Sequence, residues 1–443
     1  MCRTSEIHIT VNRSSLVCFL FGGIMTAVLL SAFNTNYLLS FPGGWSRLRK
    51  HVVERALLVP GIGSSAMIPV SNPLMEWALT GPKLTSEPKV LKGETLAALH
   101  QAIDAKERGK KEKALKLFQH ALALDPSHSD VLNEYGEFLE EDDIVKADHL
   151  YTCAVLLNDS HPRALSNLRR TSNKVAEIDK EMFDKIDRKL AQFFEISESS
   201  RVFERARQEF YYLQIYHTTA IEGNTLTLEQ MRSIMETGLA IGGKSILEHN
   251  EVLGLDAALQ FINNTLMQRI GAITVRDILA IHQRVMGYVD PIDAGHVRTT
   301  QVFIGGHVPP PSTEVEELMD EFVEWLNSEE ALLLHPVEFA ALAHYKFVYI
   351  HPFADGNGRT ARLLMNLILM RSGYPPVILK LSERHTYYEV IKKGNMGDIR
   401  PFIRFISQNL DAMLHAYIYL DEDRDHSIAE VKDKKDVTVI DGG

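Results

Sequence analysis

Cysteine is scarce in this chain, because only Cys2, Cys18 and Cys153 occur among its 443 residues. Two of the three stand at the N-terminus, so the predicted folded part contains no pair of cysteines. The sequence therefore excludes a small fold held together by a disulfide framework. So few cysteines are typical of a cytosolic protein, but the N-terminal residues indicate a different compartment.

An excess of basic residues is also absent. The chain has 47 Lys and Arg against 58 Asp and Glu, which gives a net charge of −11. Nucleic-acid phosphates are bound by clustered cations, so this balance excludes a general nucleic-acid binder. The 27 Gly and 17 Pro are too few for a collagen-like or low-complexity chain. A chain of this length allows two or three domains of roughly 100–200 residues each.

Long apolar runs are missing apart from one near the start. Residues Leu16–Phe33 contain no charged side chain, and a helix of that length spans about 27 Å, close to the thickness of a thin bilayer. The run exceeds the roughly 7–15 apolar residues of a signal peptide, and Leu30 fills the first small position of a cleavage site. We therefore predict an uncleaved transmembrane anchor at 16–33, with a cleaved signal peptide as the alternative.

The charges beside this run predict its orientation. Arg3 and Arg13 precede it, and no Lys or Arg follows before Arg47. By the positive-inside rule, residues 1–15 form a short cytosolic segment. The predicted location is the endoplasmic-reticulum membrane, crossed once, with the folded part in the lumen. The sequon at Asn263 is then a predicted glycosylation site.

Two related segments follow a predicted linker at 34–94. Within 95–165, small and aromatic residues recur 33 positions apart: Phe118 corresponds to Tyr151, and Ala121 to Ala154. This spacing resembles that of tetratricopeptide repeats, in which small residues let helices approach and an aromatic side chain fills the gap. The pair is either a partner-binding surface or an ordinary packing unit. We predict that it leans on linker helices at 166–210.

Helical periodicity continues from there to about residue 410, with one exception. Between Arg298 and Ser312, β-prone residues flank Gly305 and Gly306, which predicts a small β-hairpin flap. Residues 411–443 are predicted to hold the end of the last helix and a charged, disordered tail from Asp421.

One phosphate-binding motif is present in the wrong setting. Residues Gly238–Ser245 fit the GxxxxGK[ST] pattern, but that pattern binds phosphates only between a strand and a helix. The preceding residues are helical in pattern, and Thr227 and Gln230 form a predicted capping box. A glycine-rich helix exit is the preferred interpretation. A P-loop NTPase that uses Lys244 and Ser245 remains the alternative.

A metal site is a second possibility. His335, His344 and His351 with Asp355 offer ligand types that zinc accepts, but a structural zinc needs three or four converging ligands. The spacing spreads these residues over more than two helical turns, so core or surface histidines are the default.

The segment from Val348 to Arg362 carries the most chemistry. An apolar helix ends before Pro352, and another begins near Asn357. Between them a Gly-Asn-Gly turn can form an anion-binding nest at a helix N-terminus. Arg359 and Arg362 lie three residues apart and can both reach a bound anion. With His351 as a base and Asp355 as a Mg²⁺ ligand, these residues predict phosphate chemistry.

This segment also carries a resemblance. The residues HPFADGNGR from His351 to Arg359, followed by Arg362, match HPFx[DE]GNGRxxR, the signature of the Fic (filamentation induced by cAMP) family. Together with the anchor and the paired repeats, the chain resembles the metazoan endoplasmic-reticulum members of that family. The fold so implied is all-α: a transmembrane helix, helical repeats, linker helices, and a helical Fic domain at 211–410 with its β-hairpin flap.

The resemblance implies an enzyme that transfers AMP from ATP to a Thr or Ser hydroxyl of a protein. His351 would be the base and Asp355 the ligand of Mg²⁺, or of Mn²⁺ in its place. The implied ATP-binding residues are Gly356, Asn357, Gly358, Arg359, Arg362, Tyr387, Tyr388 and Asn395. The implied target-binding flap contains Thr299, Thr300, Gln301 and Val302.

A glutamate stands where a helix dipole disfavours it. Glu222 comes at the end of a predicted helix, before Gly223, and a carboxylate there calls for a cationic partner. Thr218, Glu222 and Gly223 also match the Fic inhibitory motif [ST]xxxE[GN]. The resemblance implies that Glu222 pairs with Arg362, blocks productive ATP binding, and positions water to remove AMP again.

Partners follow from the same resemblance. It implies an Hsp70-type chaperone as the modified protein, with the repeats as its docking arm, and a homodimer with Ile246 at the interface. No nucleic-acid partner is expected. The rival functions are the P-loop NTPase and a non-enzymatic adaptor whose Fic core only binds nucleotide.

Overall fold

A computed structural model describes residues 92–197, 200–305 and 307–435, with side chains up to Leu420. The ordered elements of these ranges are helices, which confirms the predicted helical class. In chain order they are α1 Lys92–Glu107, α2 Lys111–Leu124, α3 Ser129–Leu139, α4 Ile144–Leu157, α5 Pro162–Glu195, α6 Arg201–Ile221, α7 Leu228–Thr237, α8 Ile246–Phe261, α9 Val275–Met286, α10 Val315–Leu326, α11 Glu329–Leu333, α12 Pro336–Ile350, α13 Asn357–Arg371, α14 Arg384–Asn395 and α15 Arg400–Lys435. A π-helical turn at Ile262–Leu266 and 3-10 turns at Ser312–Glu314 and Leu381–Glu383 complete the set.

The first four helices form two antiparallel pairs, α1 with α2 and α3 with α4. Phe118 and Tyr151 are fully buried between them, and the ring of Tyr151 lies where a side chain on Gly136 would stand. This close approach is why position 136 holds glycine. Helix α4 packs on α5, as expected for repeats that lean on a neighbouring helix. Membership in the tetratricopeptide class stays a prediction.

The site is carried by a second group of helices. Helices α12 and α13 pack closely on each other, α9 and α6 contact α13, and α15 contacts α5, α6 and α12. The central helix α13 is apolar along LLMNLILM and its residues Leu363 to Met370 are all buried. A helix that is buried on every side is a rigid base for the loop that precedes it.

The predicted β-hairpin flap is wrong. Within the described residues no strand occurs, and residues 299–310 contain one isolated antiparallel bridge between Ile304 and His307. Three prolines, Pro309–Pro311, begin two residues after His307. Proline has no N–H to donate, so a ladder cannot extend along this side of the turn.

The predicted membrane topology also requires correction. In the part of the chain that the structure describes, no helix is long and apolar enough to cross a membrane. The longest helices, α5 and α15, carry charged residues along their length. The predicted anchor at 16–33 lies outside the described residues. The expectation of a membrane-anchored protein in the endoplasmic reticulum is therefore withdrawn.

The C-terminal helix is longer than the sequence predicts. Helix α15 continues to Lys435, whereas we expected a disordered tail from Asp421. The extra residues include Lys, Glu, Arg and one Ala, which have high helix propensity, and these residues favour continuation of an existing helix.

Candidate active site

The site is built on the loop between α12 and α13. His351 caps α12 in the left-handed conformation with φ of 51°, and it is the one non-glycine residue with positive φ among the described residues. Gly356 begins α13 with φ of 77°, and a side chain there would run into Met286 and His282. Asn357 closes the loop, because its side-chain amide bonds both the N–H and the carbonyl of Phe353. Backbone strain of this kind persists only where the surroundings fix it.

The hydrogen bonds of His351 determine its tautomer. Its Nδ1 lies 3.2 Å from the carbonyl oxygen of Val348, which can only accept. Nδ1 therefore carries the proton, and Nε2 keeps a free lone pair. Burial lowers the pKa of His351 to about 4. The imidazole is thus neutral at pH 7 and can accept a proton through Nε2.

Two buried arginines stand on the first turns of α13. The guanidinium of Arg359 bonds Asp355 at 2.9 Å and Glu251 at 3.4 Å. That of Arg362 bonds Glu222 at 2.6 Å and the carbonyl of Thr218 at 3.0 Å. Both arginine side chains are 3% exposed. The Nε atoms of both are buried without a hydrogen-bond partner, so each retains a donor that the protein leaves unused.

Glu222 finds the cationic partner that its position calls for. It caps α6 at the C-terminal end, yet its carboxylate lies beside Arg362 and against Gly358 in the first turn of α13. A side chain on Gly358 would collide with Oε1 of Glu222. The carboxylate therefore occupies the space over the N-terminus of α13, where the helix dipole attracts anions. The negative charge of Glu222 contributes to raising the pKa of Arg362.

A buried chain of polar groups holds Arg362 from behind. Its Nη1 lies 3.4 Å from the hydroxyl of Tyr387, which is 3.0 Å from Nε2 of His344. Burial and the positive charge of Arg362 lower the pKa of His344 to about 3. His344 is therefore neutral and is hydrogen-bonded to the hydroxyl of Tyr387. Another predicted metal-site histidine, His335, pairs with Asp187.

The histidines considered as zinc ligands bond three different partners, Tyr387, Asp187 and Val348. The described residues contain no group of three or more His, Cys, Asp or Glu that could hold a metal ion by themselves. The carboxylate of Asp355 is 69% exposed at the edge of the loop. A single accessible carboxylate beside unused arginine donors fits Mg²⁺ that is held jointly with nucleotide phosphates, since Mg²⁺ prefers carboxylate and phosphate oxygens.

The GxxxxGK[ST] segment has no strand before it. Helix α7, with the predicted capping box of Thr227 and Gln230, precedes it, and Gly238 is its left-handed C-cap. Ser245 caps α8, and Lys244 bonds the backbone carbonyl and hydroxyl of Thr225 at 2.7 and 3.0 Å. The segment is a glycine-rich connection between helices α7 and α8, which agrees with the interpretation preferred from the sequence.

The remaining predicted residues are dispersed. Tyr388 is 40% exposed on α14 next to Tyr387, whereas Asn395 at the far end of that helix accepts a bond from Tyr345. Ile246 is 63% exposed at the start of α8. Asn263 lies in the π-helical turn.

The predicted flap residues lie along the rim of the site. Thr299 and Thr300 line a groove of about 290 Å³ together with Ala354 of the loop. Gln301 bonds the carbonyl of Pro309 at 2.9 Å, and Val302 is half-buried. The segment is thus next to the loop even though it is not a hairpin.

Three residues of the site were missed from the sequence, and one of them is Glu251, the second partner of Arg359. His282 stacks on Phe353 with 3.5 Å between ring centroids and bonds the carbonyl of Asp355 at 3.0 Å. Arg298, which was seen only as the start of the flap, bonds the carbonyl of His351 at 2.7 Å. A lone His on an amphipathic helix carries no signal of its partners. An Arg before a turn carries none either, because both partners are backbone groups distant in the chain.

These features define a class: an all-helical protein with an anion-binding helix N-terminus, two buried arginines and a neutral histidine at one loop. The Fic/DOC family profile matches residues 272–369. Protein adenylyltransferase Fic of Nematostella vectensis is 52% identical over 78% of this chain and 82% of its own length. That of Aedes aegypti is 50% identical over 76% and 68%. Fic-1 from C. elegans, a solved structure, is 43% identical, covers 73% of this chain and 97% of its own, and superposes with a TM-score of 0.68.

The chain belongs to the Fic/DOC family, so the resemblance seen in its sequence is confirmed. These relatives match the chain well beyond the 272–369 core.

Proposed function

We propose that this protein is a Fic-type protein adenylyltransferase, which transfers AMP from ATP to a hydroxyl of a protein substrate. The observation that carries the proposal is the neutral His351, with Nε2 free, beside a helix N-terminus that holds two buried arginines with unused donors. The curated relatives bear the same activity in their names. ATP is the nucleotide that such a transfer consumes.

The residues of this chain divide the work. The backbone N–H groups of Asn357 and Gly358 and the guanidinium groups of Arg359 and Arg362 bind and orient the phosphates, while the N–H of Gly356 donates to the carboxylate of Asp355. The target hydroxyl attacks the α-phosphorus, and the bond to the β-phosphate oxygen breaks, so pyrophosphate leaves. Nε2 of His351 takes the proton of the hydroxyl. Mg²⁺ held by Asp355 and phosphate oxygens would supply charge neutralisation for the departing pyrophosphate.

Glu222 is proposed as an internal inhibitor. Its carboxylate already occupies the anion position over α13 and pairs with Arg362 at 2.6 Å. A nucleotide phosphate at that position meets like charge until Glu222 moves aside, and Thr218 and Gly223 hold the end of α6 that positions it. The second proposed role is reversal: water positioned by Glu222 attacks the phosphorus of the AMP-modified protein, and the protein hydroxyl leaves.

The proposed substrate is an Hsp70-type chaperone, and the proposed assembly is a homodimer. The resemblance to metazoan family members supports both. The helix pairs α1–α4 would dock the substrate, and the groove lined by Thr299, Thr300 and Ala354 would receive its modified segment. Ile246, exposed at the start of α8, would lie at the dimer interface.

Purified protein incubated with Mg²⁺ and ATP labelled at the α-phosphate tests the proposal. We expect weak self-labelling of the natural chain and strong labelling of Glu222→Gly, because the internal anion is gone. His351→Ala added to that variant removes the base and should abolish labelling. Glu195→Gly is a matched control, since Glu195 also ends a helix but is solvent-exposed.

The same experiment separates the rivals. ATP labelled at the γ-phosphate should leave no label on protein, which distinguishes AMP transfer from phosphorylation. Labelling that survives His351→Ala would contradict the mechanism. Loss of ATP turnover on Lys244→Ala would restore the P-loop NTPase. Folded variants that bind ATP and never become labelled would establish the adaptor.

A further inference from the structure

Arg298 is a buried cation that the sequence does not explain. Its side chain is 4% exposed, and it makes no salt bridge within the described part of the chain. Its guanidinium instead donates to four backbone carbonyls: those of Ile350, His351, Thr300 and Pro310, at 3.4, 2.7, 3.0 and 2.6 Å. Buried charges are ordinarily paired with opposite charge, so an arginine satisfied by carbonyls alone calls for an explanation.

The four carbonyls belong to two segments that meet at the reacting atoms. Ile350 and His351 form the end of α12 and carry the proposed base. Thr300 and Pro310 stand at opposite ends of the rim segment 299–310, which borders the groove. The backbone N–H of Arg298 also donates to the carbonyl of Pro352 at 2.8 Å. One side chain therefore fixes the distance between the base and the rim of the groove.

The geometry requires arginine. A guanidinium presents five N–H donors in a rigid plane, and here Nε, Nη1 and Nη2 each bond a different carbonyl. Lysine has its three donors on one nitrogen and cannot span the same set, although it keeps the charge. The left-handed backbone of His351 adds to the need for support, because its carbonyl is aimed by a conformation that ordinary residues disfavour.

We propose that Arg298 is a positioning residue for AMP transfer, which holds the backbone of His351 and the rim segment 299–310 in register so that the target hydroxyl meets Nε2. The inference rests on the proposed transferase activity. It predicts that Arg298 affects the transfer step and leaves nucleotide binding alone, because none of its bonds involves α13.

The charge of Arg298 provides a second, independent readout. Three charged or titratable groups face His351: Arg298 and His307, which lower its pKa, and Glu222, which raises it. Burial is the main cause of the low value. Removing the Arg298 charge should therefore raise the pKa of His351 and move the acid limb of the transfer rate to higher pH. A purely structural arginine would not move this limb.

The experiment compares Arg298→Lys and Arg298→Gln in the Glu222→Gly background. The measurements are the rate of self-labelling from α-labelled ATP between about pH 3.5 and pH 8, which spans the pKa of His351 of about 4, the dissociation constant of MgATP, and thermal unfolding. For Arg298→Lys we expect transfer to fall by roughly 10–100-fold, with MgATP affinity within twofold and the acid limb unmoved. Arg298→Gln should lose transfer similarly and shift the acid limb upward.

Arg371→Lys serves as the matched control. Arg371 also donates to backbone carbonyls alone, those of Gly271, Leu266 and Arg269, but it lies at the other end of α13. Its variant should keep both the transfer rate and the acid limb of the parent.

Two outcomes would overturn the inference. Transfer within twofold of the parent in both Arg298 variants would show that the register does not depend on Arg298. Equal losses of transfer, MgATP affinity and thermal stability would show a general folding role. If Arg298→Gln does not fold, Arg298→Lys decides by its rate and affinity alone. Absence of labelling in the Glu222→Gly parent would instead overturn the transferase proposal.

Discussion

Two charge clusters in this molecule differ in how completely their arginines are paired. The joint cluster, at the contact of α4 with the start of α15, contains Asp148, His149, Thr152, Asp398 and Arg400. There, Nε, Nη1 and Nη2 of Arg400 all donate to side chains of the cluster, at 2.7 to 2.9 Å. In the loop cluster of Glu222, Asp355, Arg359 and Arg362, both arginines leave Nε unpaired.

The carboxylates differ in the same sense. Asp148 and Asp398 are 0% and 2% exposed, whereas Glu222 and Asp355 are 28% and 69% exposed. The carboxylates of the joint cluster are out of reach of solvent, so only protein groups can form hydrogen bonds and ion pairs with them. Those of the loop cluster can turn to solvent or to a ligand. The comparison teaches that an arginine whose guanidinium nitrogens all bond protein side chains stabilises the fold, while a buried one with an unpaired Nε and movable partners is available for binding.

The largest effect is expected from breaking the joint cluster. Arg400→Met leaves Asp148 and Asp398 buried without their cation, which should lower the free energy of unfolding by about 3–5 kcal/mol. Urea denaturation measures it. Arg170→Met removes a salt bridge whose arginine is 51% exposed and should cost less than about 1 kcal/mol. Equal losses of unfolding free energy in Arg400→Met and Arg170→Met would contradict the idea that the fully bonded guanidinium of Arg400 stabilises the fold more than an exposed salt bridge does.

The corresponding change in the loop cluster should affect activity instead. Arg362→Met in the Glu222→Gly background removes a donor to the phosphates and should slow AMP transfer by roughly 10²–10³-fold. The loss of unfolding free energy should be smaller than for Arg400→Met, because no carboxylate is left unpaired by the change. If Arg362→Met were as strongly destabilised as Arg400→Met but kept its MgATP affinity, the loop cluster would have a structural role and the contrast between the two clusters would be wrong.

Acid should destabilise the site through its neutral histidines. Burial lowers the pKa of His282 to about 4 and that of His344 to about 3, below the unfolded value of about 6.5. The unfolded chain therefore binds more protons below pH 6.5, and stability falls as the pH decreases from there toward 4. At pH 5 the expected loss is about 2 kcal/mol per histidine.

Urea titrations at pH 7 and pH 5 measure this loss. His344→Gln should reduce the loss of unfolding free energy between pH 7 and pH 5 by about 2 kcal/mol, the part that comes from His344. A natural chain that is equally stable at both pH values would show that neither histidine is held neutral by the fold.

The smallest effect is expected at Lys244. Its ammonium bonds Thr225 on an exposed loop, so Lys244→Ala should cost less than about 1 kcal/mol. The dissociation constant of MgATP, measured by calorimetry, should remain unchanged. A tenfold weaker affinity of Lys244→Ala for MgATP would instead indicate that the nucleotide binds at the glycine-rich segment that follows α7.

Local patterns in the sequence predicted much of this arrangement. The turn at 356–358, the helix boundaries around it and the decoy nature of Gly238–Ser245 follow from short-range rules of capping and backbone freedom. The need of Glu222 for a cation was anticipated because a carboxylate at a helix end opposes the dipole, whereas Arg362 as that cation came from the resemblance to the Fic family. The capping and backbone signals lie within a few residues of the features that they predict, whereas the pairing of Glu222 with Arg362 joins residues 140 positions apart.

Long-range contacts could not be predicted in the same way. The bonds of Arg298 to His351 and of His282 to Asp355 join residues 53 and 73 positions apart, through backbone carbonyls that every residue possesses. The hairpin was predicted from β-prone residues around two glycines, but the following prolines prevent a ladder. The joint cluster links Arg400 to Asp148, 252 positions away, and ordinary charged residues gave no indication of it.

The place of Glu222 over the first turn of α13 has a thermodynamic consequence. Under the proposed inhibition, a carboxylate tethered to the end of α6 acts as a competitor at fixed effective concentration, which dilution of the protein does not alter. The apparent dissociation constant of a phosphate ligand equals the intrinsic one divided by the fraction of molecules in which Arg362 is free. Any contact that pulls α6 away by a small distance therefore tunes nucleotide affinity without touching the nucleotide.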